Sequence, residues 1–156
     1  MTYDLHGTWD KTDKYVGAAL DAHTNLTEID QTLNLLWRNE IVPAQVTLGL
    51  GFYGRSSTLK DPTCTKPGCL FATGGMAGPC TNSSGTLSYA EIQQVIANGA
   101  KVELYEAAAV KIVTWNKTQW VSYDDADTLG MKVTYANKRC LGGQVSSDPT
   151  KHHPRR

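Results

Sequence analysis

The feature that most constrains the fold is a helix pattern followed at once by a strand pattern. In residues 25–43, NLTEIDQTLNLLWRNEIVP, apolar residues recur every three or four positions, which predicts an amphipathic helix. Thr27 and Asp30 resemble a capping box, and Pro43 predicts its end. Residues 44–55, AQVTLGLGFYGR, alternate like a short strand. Because the opening MTYDL also reads as a strand, the order predicts an α/β fold with a parallel sheet.

The strand pattern of residues 44–55 also contains closely spaced glycines. Gly49, Gly51 and Gly54 leave room for another segment of backbone or a ligand to approach the strand.

The pattern changes after residue 55. Residues 56–87 are rich in Ser, Thr, Gly, Pro and Cys, and predict an irregular loop that needs cross-links. Ser88 and Glu91 then predict a capping box, and Gly99 the end of that helix. Strands are predicted around 107–115 and 119–123, joined by a turn, so this part reads as an antiparallel α+β unit.

The last third of the chain predicts one further helix. Asp124 and Asp125 precede it, where capping is a better explanation for them than a catalytic carboxylate pair. Gly142 and Gly143 would lead into another strand, but residues 144–156, QVSSDPTKHHPRR, are polar and aperiodic and predict a disordered tail.

Charge and hydropathy exclude several classes of partner. Fifteen basic and fifteen acidic residues give zero net charge, which favours a neutral ligand over nucleic acid or an acidic membrane surface. No apolar run approaches the roughly 20 residues that span a bilayer. The N-terminus lacks the basic-then-apolar pattern of a secretory leader, so the chain as written is expected to be cytoplasmic.

Other features indicate an oxidising compartment. Cysteines crowded into a Pro- and Gly-rich loop favour disulfides, with free thiols or a zinc site as alternatives; the spacing lacks the tight Cys-x2-Cys of most zinc sites. Four cysteines allow three pairings, which remain open. The disulfide candidates are Cys64, Cys69, Cys80 and Cys140.

Three Asn-x-Ser/Thr sequons mildly favour the same compartment. They begin at Asn25, Asn82 and Asn116. A secreted-type sequence without a leader suggests a piece of a longer protein.

Several motifs together resemble one known family. MTYDLHGTWD resembles the sixth-strand motif of family 18 glycoside hydrolases, the chitinases, and TLGLGFYGRS resembles the seventh strand. WVSYDD, a helix and LGG resemble the approach to the eighth. DPTCTKPGC, GPCTN and LSYAEI are similar to the cysteine-bearing fungal form of the chitinase insertion domain. The resemblance covers residues 1–143 and implies a C-terminal fragment of a fungal-type chitinase.

This resemblance implies an incomplete TIM (β/α)8 barrel, because a whole barrel needs about 250 residues. It divides the chain into a barrel remnant at 1–55, an α+β insertion domain at 56–121, a second barrel remnant at 122–143 and a non-family tail at 144–156.

The resemblance also implies a substrate-binding set. Tyr3 would donate its hydroxyl to the substrate acetamide oxygen, and Asp4 would hydrogen-bond the substrate beside it. Trp9 would stack on a sugar, while Tyr53 and Arg55 would line the groove. The implied partner is chitin or a chito-oligosaccharide, and no cofactor or metal is expected.

The implied activity of the parent family is substrate-assisted hydrolysis of β-1,4 links between N-acetylglucosamine units, outside the cell. The family's acid lies in an Asp-Gly-x-Asp-x-Asp-x-Glu run that these 156 residues do not contain. We therefore expect no catalytic residue here and an inactive chain. The alternatives are a non-catalytic chitin binder, or a truncated product without autonomous function that needs a complementary N-terminal barrel fragment to cover its edges.

Overall fold

A computed structural model describes residues 1–147 of the chain. The described residues form three α-helices and eight β-strands. The helices are α1 (Leu26–Arg38), α2 (Tyr89–Ala97) and α3 (Ala126–Lys138), and the strands are β1 (Thr47–Gly51), β2 (Tyr53–Leu59), β3 (Phe71–Gly74), β4 (Thr86–Ser88), β5 (Lys101–Tyr105), β6 (Val110–Trp115), β7 (Gln119–Tyr123) and β8 (Gly143–Ser147).

The strands form two sheets joined by a single residue. β1 and β8 pair in parallel, and the other six strands form an antiparallel sheet in the order β3-β2-β7-β6-β5, with β4 also on β2. Phe52 lies between β1 and β2, and its N–H donates to the carbonyl of Ser147 at 2.9 Å. The chain therefore leaves the parallel pair and enters the antiparallel sheet without a loop.

Helices α1 and α3 cover the parallel pair. Their apolar sides pack with β1 in a cluster whose buried members are Ile29, Leu33, Leu48, Leu50 and Ala136. This confirms the helix, strand and helix predicted from the apolar periodicity. Opposed apolar faces of this kind stabilise a small sheet that would be marginal alone.

The ends of α1 differ from the prediction. The cap is Asn25, whose Oδ1 accepts from the Thr27 N–H at 3.0 Å, so the expected Thr27–Asp30 box is wrong. The helix ends at Arg38, well before Pro43, which starts a short 3-10 turn.

The antiparallel sheet buries side chains on both faces. Helix α2 covers one face through Ile92, which packs with Val113 and Val121. On the other face Trp120, 1% exposed, packs with Phe71 and donates its Nε1–H to a loop carbonyl. The six strands therefore have their own two-sided core.

Residues 56–87 are more ordered than the sequence indicates. The end of β2, the whole of β3 and the first two residues of β4 lie in this segment, so the expectation of an irregular loop is wrong. The turn-rich composition hides strands whose order comes from pairing with β2 rather than from their own periodicity. β5 was also missed, because all five of its residues are exposed.

One predicted disulfide forms in this region. Cys64 and Cys69 are bonded, which confirms a cross-link, and Cys69 is buried against the sheet. Cys80 and Cys140 are exposed free thiols, so these two disulfide candidates are wrong in the described structure.

The two ends of the described chain also require corrections. Residues 1–5 are not a strand: Asp4 has a left-handed φ of +60°, which breaks an extended path, and Thr2 contacts β1 through its hydroxyl, at 2.6 Å from the Gly49 carbonyl. The tail predicted from residue 144 is wrong at its start, because β8 continues through Ser147; residues 148–156 lie outside the described part.

The boundaries predicted at 55/56 and 121/122 fall inside β2 and β7.

A buried ion pair joins Asp124, the residue after β7, to α3. Lys132 Nζ lies 2.5 Å from Asp124 Oδ1 and donates to Thr24 Oγ1 at 3.0 Å, and all three residues are at most 2% exposed. Asp125, next in the chain, accepts from the Thr128 N–H and caps α3 as predicted. Asp124 is not a cap, because it lies in the core.

Among residues 1–147, no helix combines the length and hydropathy that crossing a bilayer requires.

Glu91 provides a test of the fold. Its carboxylate, in a residue 2% exposed, accepts from the backbone N–H groups of Cys80, Thr81 and Ser88 at 2.7–2.9 Å. Burial raises the pKa of Glu91, but these hydrogen bonds outweigh burial and lower the pKa to about 2. The ionised form therefore stabilises the fold above pH 4.5, and this contribution is lost as the pH falls toward 2.

We expect Glu91→Gln to lower the free energy of unfolding at pH 7 by about 2–4 kcal/mol, because three backbone N–H donors lose a charged, buried acceptor. Urea unfolding at pH 7 and at lower pH measures this, and the deficit should shrink as the pH falls. The control is Glu103→Gln on exposed β5, with a change within about 0.5 kcal/mol. Equal effects of the two substitutions would contradict this role of Glu91.

Candidate functional site

The centre of the candidate site is the Asp4 carboxylate. Its Oδ1 accepts from the Tyr53 hydroxyl at 2.7 Å and from Arg55 Nε at 2.8 Å, and its Oδ2 lies 2.8 Å from an Arg55 terminal nitrogen. Tyr53 and Arg55 are two positions apart on β2, so their side chains leave the same face of the strand. A bidentate guanidinium fixes the plane of the carboxylate as well as its position.

The hydrogen bonds within this group set its ionisation. Burial raises the pKa of Asp4, but hydrogen bonds from Arg55 and Tyr53, together with the charge of Arg55, outweigh burial and hold the pKa well below its usual range. Burial and the hydrogen bond to Asp4 raise the pKa of the Tyr53 hydroxyl. Asp4 is therefore a carboxylate at neutral pH, and Tyr53 keeps its proton.

His23 contacts Asp4 from the buried side of the site. The sequence did not identify this residue. The ring is fully buried; Nδ1 accepts from the Asp4 backbone N–H at 3.4 Å, and Nε2 lies 3.2 Å from the Tyr53 carbonyl. Nε2 must carry the proton for both bonds to form. Burial lowers the pKa of His23, so the ring is neutral. No pattern marks a lone histidine in a polar loop as part of a site.

Tyr3 lies on the glycines of β1. A Cβ built on Gly49 would fall 2.8 Å from the Tyr3 ring, so glycine is required there. The Tyr3 and Tyr53 rings meet edge to face with centroids 6.3 Å apart. The close approach predicted from the glycines is therefore made, at Gly49, by an aromatic side chain of the same chain.

Trp9 forms the exposed rim of the site. It lies in a 3-10 turn, Thr8–Thr12, is 44% exposed, and has the Arg55 guanidinium carbon 5.0 Å from its ring. The same guanidinium carbon lies 5.2 Å from the Tyr53 ring. Arg55 is thus held by two aromatic rings and by Asp4. Part of the Trp9 ring remains open to solvent.

A second polar cluster anchors the segment that carries Trp9. His6 lies 3.0 Å from Asp10 and 2.9 Å from Glu28, in the first turn of α1, with Asp21 at 3.9 Å. Burial lowers the pKa of His6, but Glu28 and Asp10 outweigh burial and raise the pKa. The donor atoms of His6, Asp21 and Glu28 are close enough to hold a cation, although hydrogen bonds from a protonated His6 account for the arrangement.

The structure brings together all five residues that the resemblance implies as substrate-binding. Asp4, Tyr53 and Arg55 bond directly, Trp9 contacts Arg55, and Tyr3 contacts Tyr53. We call these five residues the Asp4 surface. Their roles toward a substrate remain predictions.

Comparison with known proteins identifies the family. The family described as "Glycosyl hydrolases family 18" matches residues 1–146.

The chain belongs to glycosyl hydrolase family 18.

Three relatives show how much of the family 18 fold is present. A protein named probable chitinase LysM11 from Penicillium expansum is 32% identical over 92% of the chain, which covers 15% of that protein. A family GH18 chitinase from Cycas revoluta, solved in complex with allosamidin, matches 95% of the chain with a TM-score of 0.79 and 26% identity. Human YKL-39, described as a pseudo-chitinase with retained chitooligosaccharide binding, matches 96% with a TM-score of 0.80 and 27% identity.

These matches confirm an α/β fold of the family 18 barrel type, leave the expected fungal type unconfirmed and correct one expectation. The relatives come from a fungus, a cycad and human, so they do not single out a fungal type. The family match also passes residue 144, where the non-family tail was expected. The chain spans 40% of the cycad chain and 42% of the human one.

Arg55 provides a test of the geometry of the Asp4 surface. We expect Arg55→Gln to raise the pKa of Asp4 toward the ordinary 3.8, because the carboxylate loses its cation and two hydrogen bonds. Carboxyl-carbon NMR over an acid titration measures this. Lys111→Gln, which removes the cation beside Asp125 and Asp127, should leave the Asp4 titration unchanged. An unchanged pKa in Arg55→Gln would mean that the arginine does not hold Asp4 in solution.

Proposed function

We propose that this chain binds N-acetylglucosamine oligomers at the Asp4 surface, and that this surface is part of a chitin-hydrolysing site in a longer protein. The observation that carries the proposal is the oriented, ionised Asp4 carboxylate beside the open ring of Trp9. The pairing of a fixed acceptor and an apolar ring suits an uncharged sugar with an amide group.

Asp4 and Tyr3 supply the polar part of this recognition. In substrate-assisted hydrolysis the acetamide carbonyl attacks its own anomeric carbon, so the amide must be held in one orientation. An ionised Asp4 accepts from the acetamide N–H and favours the positive charge that develops on the amide in the transition state. The Tyr3 hydroxyl donates to the acetamide oxygen. Tyr53, Arg55 and His23 act by positioning Asp4.

Trp9 supplies the apolar part. The C–H faces of a pyranose pack on an aromatic ring, and a half-exposed tryptophan gains most when such a face covers it. Contact with Arg55 limits the orientations of the ring before a sugar arrives, which reduces the entropy lost on binding.

We propose that binding and hydrolysis are separable in this chain. The acid motif expected for hydrolysis is absent from the 156 residues, and a positioned proton donor typically contributes about 10² to 10⁴-fold to the rate. YKL-39, described as a pseudo-chitinase that retains chitooligosaccharide binding, is a family 18 relative in which the two are separated.

We assign β2–β7, residues 53–123, as the insertion domain, since β2 and β7 pair with each other.

A second candidate is a chain without autonomous function. This second candidate is favoured by three apolar side chains that are 52–54% exposed: Leu35 on α1, Val42 after the end of α1, and Val145 on β8. A complementary N-terminal barrel fragment would cover such a surface, and an extracellular location would follow that of the parent family. Concentration-dependent light scattering separates this candidate from a monomeric binder.

Calorimetric titration with (GlcNAc)4 tests the binding proposal. We expect saturable binding to the full chain, weakened about tenfold or more by Trp9→Ala, because loss of a central aromatic anchor typically costs over 1 kcal/mol. Asp4→Asn should also weaken binding. The control Tyr105→Phe, on the exposed strand β5, should bind like the parent chain.

Mass spectrometry of the titrated oligomer tests the separation of binding from hydrolysis. We expect intact (GlcNAc)4 after prolonged incubation with the chain. Binding that survives both Trp9→Ala and Asp4→Asn would exclude the Asp4 surface, and shortened oligomers would exclude the proposed lack of hydrolysis.

A further inference from the structure

The three Asn-x-Ser/Thr sequons lie in three different structural settings. A sequon serves as an acceptor of N-linked oligosaccharide only in the secretory pathway. The Cys64–Cys69 disulfide is of a kind that persists in that oxidising environment. The question is which of the three asparagines can carry a bulky sugar in the folded protein.

Asn25 cannot carry a sugar without loss of local structure. It is 8% exposed and is the N-cap of α1. Its Oδ1 accepts from the Thr27 N–H at 3.0 Å, and its Nδ2, the atom that would be glycosylated, donates to Asp21 at 3.3 Å. The hydroxyl of the sequon threonine, Thr27, donates to the Ala107 carbonyl at 2.8 Å. Both ends of this sequon are therefore occupied by the fold.

Asn116 is in the opposite situation. It is exposed at the tip of the β6–β7 hairpin, and its side chain makes no hydrogen bond within residues 1–147. Asn116 and Lys117 have φ values of +45° and +63°, both left-handed, in the three-residue turn 116–118 that joins the paired residues Trp115 and Gln119. The side chain thus leaves the molecule from a turn held by the flanking strands.

The surroundings of Asn116 also leave room for a sugar. The asparagine borders an open groove of about 360 Å³ between the end of α2 and the hairpin, lined in part by Asn98, Thr114 and Trp115. Amide, hydroxyl and indole groups are the side chains that sugars contact well. A glycan there would meet a polar concave surface rather than a packed interface.

Asn82 is exposed as well, but its sequon hydroxyl is held more closely than that of Thr118, which lies 3.5 Å from the Asn116 carbonyl. The hydroxyl of Ser84 donates to the Gly75 carbonyl at 3.0 Å. The inference therefore concerns Asn116 and Asn25.

We propose that Asn116 is an N-glycosylation site of this protein and that Asn25 is not. In the transfer, Asn116 Nδ2 forms a bond to C1 of a lipid-linked oligosaccharide diphosphate. The C1–O bond to the diphosphate breaks, the lipid diphosphate leaves, and the amide proton passes to the transferase, without change of oxidation state. The proposal is independent of sugar binding at the Asp4 surface.

The turn itself also explains why an asparagine stands at position 116. The variants must therefore separate this structural role from glycosylation. Asparagine is favoured in this type of turn whether or not it carries a sugar. Asn116→Gly keeps the turn chemistry and removes the acceptor amide. Thr118→Ala removes the sequon hydroxyl and keeps the amide, and Thr118→Ser restores the sequon.

The first experiment is secretion of the full chain from yeast behind a cleavable leader, in an Asn82→Gln background. Enzymatic release of N-linked glycans in ¹⁸O water leaves a labelled aspartate at each modified position. We expect the label at position 116, its loss in Asn116→Gly and Thr118→Ala, and its return in Thr118→Ser. Secreted protein without label at 116, or with label at 25, would overturn the proposal.

A second experiment reads the transfer without requiring a folded, secreted product. The full chain behind the same leader, carrying Asn25→Gln and Asn82→Gln and translated into microsomes, retains only the Asn116 sequon. We expect a glycan-dependent shift in electrophoretic mobility that Thr118→Ala abolishes. The absence of a shift would overturn the proposal.

Discussion

The buried pair of Lys132 and Asp124 is the interaction on which the arrangement of the rest depends. Two charges in a core cost several kcal/mol each in lost hydration, so they are tolerated only when each is paired and hydrogen-bonded. Thr24 completes the pairing by donating to Asp124 and accepting from Lys132. A helix, the end of a strand and a loop from the first part of the chain must therefore meet at one point, because separation of any of them would leave a buried charge uncompensated.

The candidate site follows from that meeting point. Thr24 is next to His23, and His23 contacts the backbone of Asp4 and the carbonyl of Tyr53. A left-handed residue such as Asp4 persists only where its surroundings hold it, and here a histidine, a tyrosine and an arginine do so. The surface that faces a ligand thus rests on a series of short contacts that leads into the ion pair, and its geometry is set in the core.

The sequence predicts the parts of this molecule that have a local cause. The periodicity of α1, the capping box of Ser88 and Glu91, and the turn at Asn116 each depend on neighbours within a few residues, and the structure confirms them. The five residues of the Asp4 surface came from family motifs. Residues with non-local causes were missed: β3 is a strand because β2 lies beside it, and His23 and Lys132 are important only through partners far away in the chain.

The direct passage from β1 to β2 at Phe52 has a mechanical consequence. The six-stranded sheet is attached to the rest of the chain at two places, Phe52 and Asp124, and both are held: Phe52 by its hydrogen bond to Ser147, and Asp124 by its salt bridge to Lys132. Rotation about the line between these two places is opposed by the hydrogen bonds from the Leu20 N–H to the Cys69 carbonyl and from the Thr27 hydroxyl to the Ala107 carbonyl. The same rotation would stretch the contact of Arg55 with Asp4. The distance from the Arg55 guanidinium to the Asp4 carboxylate therefore depends on the angle between the two sheets.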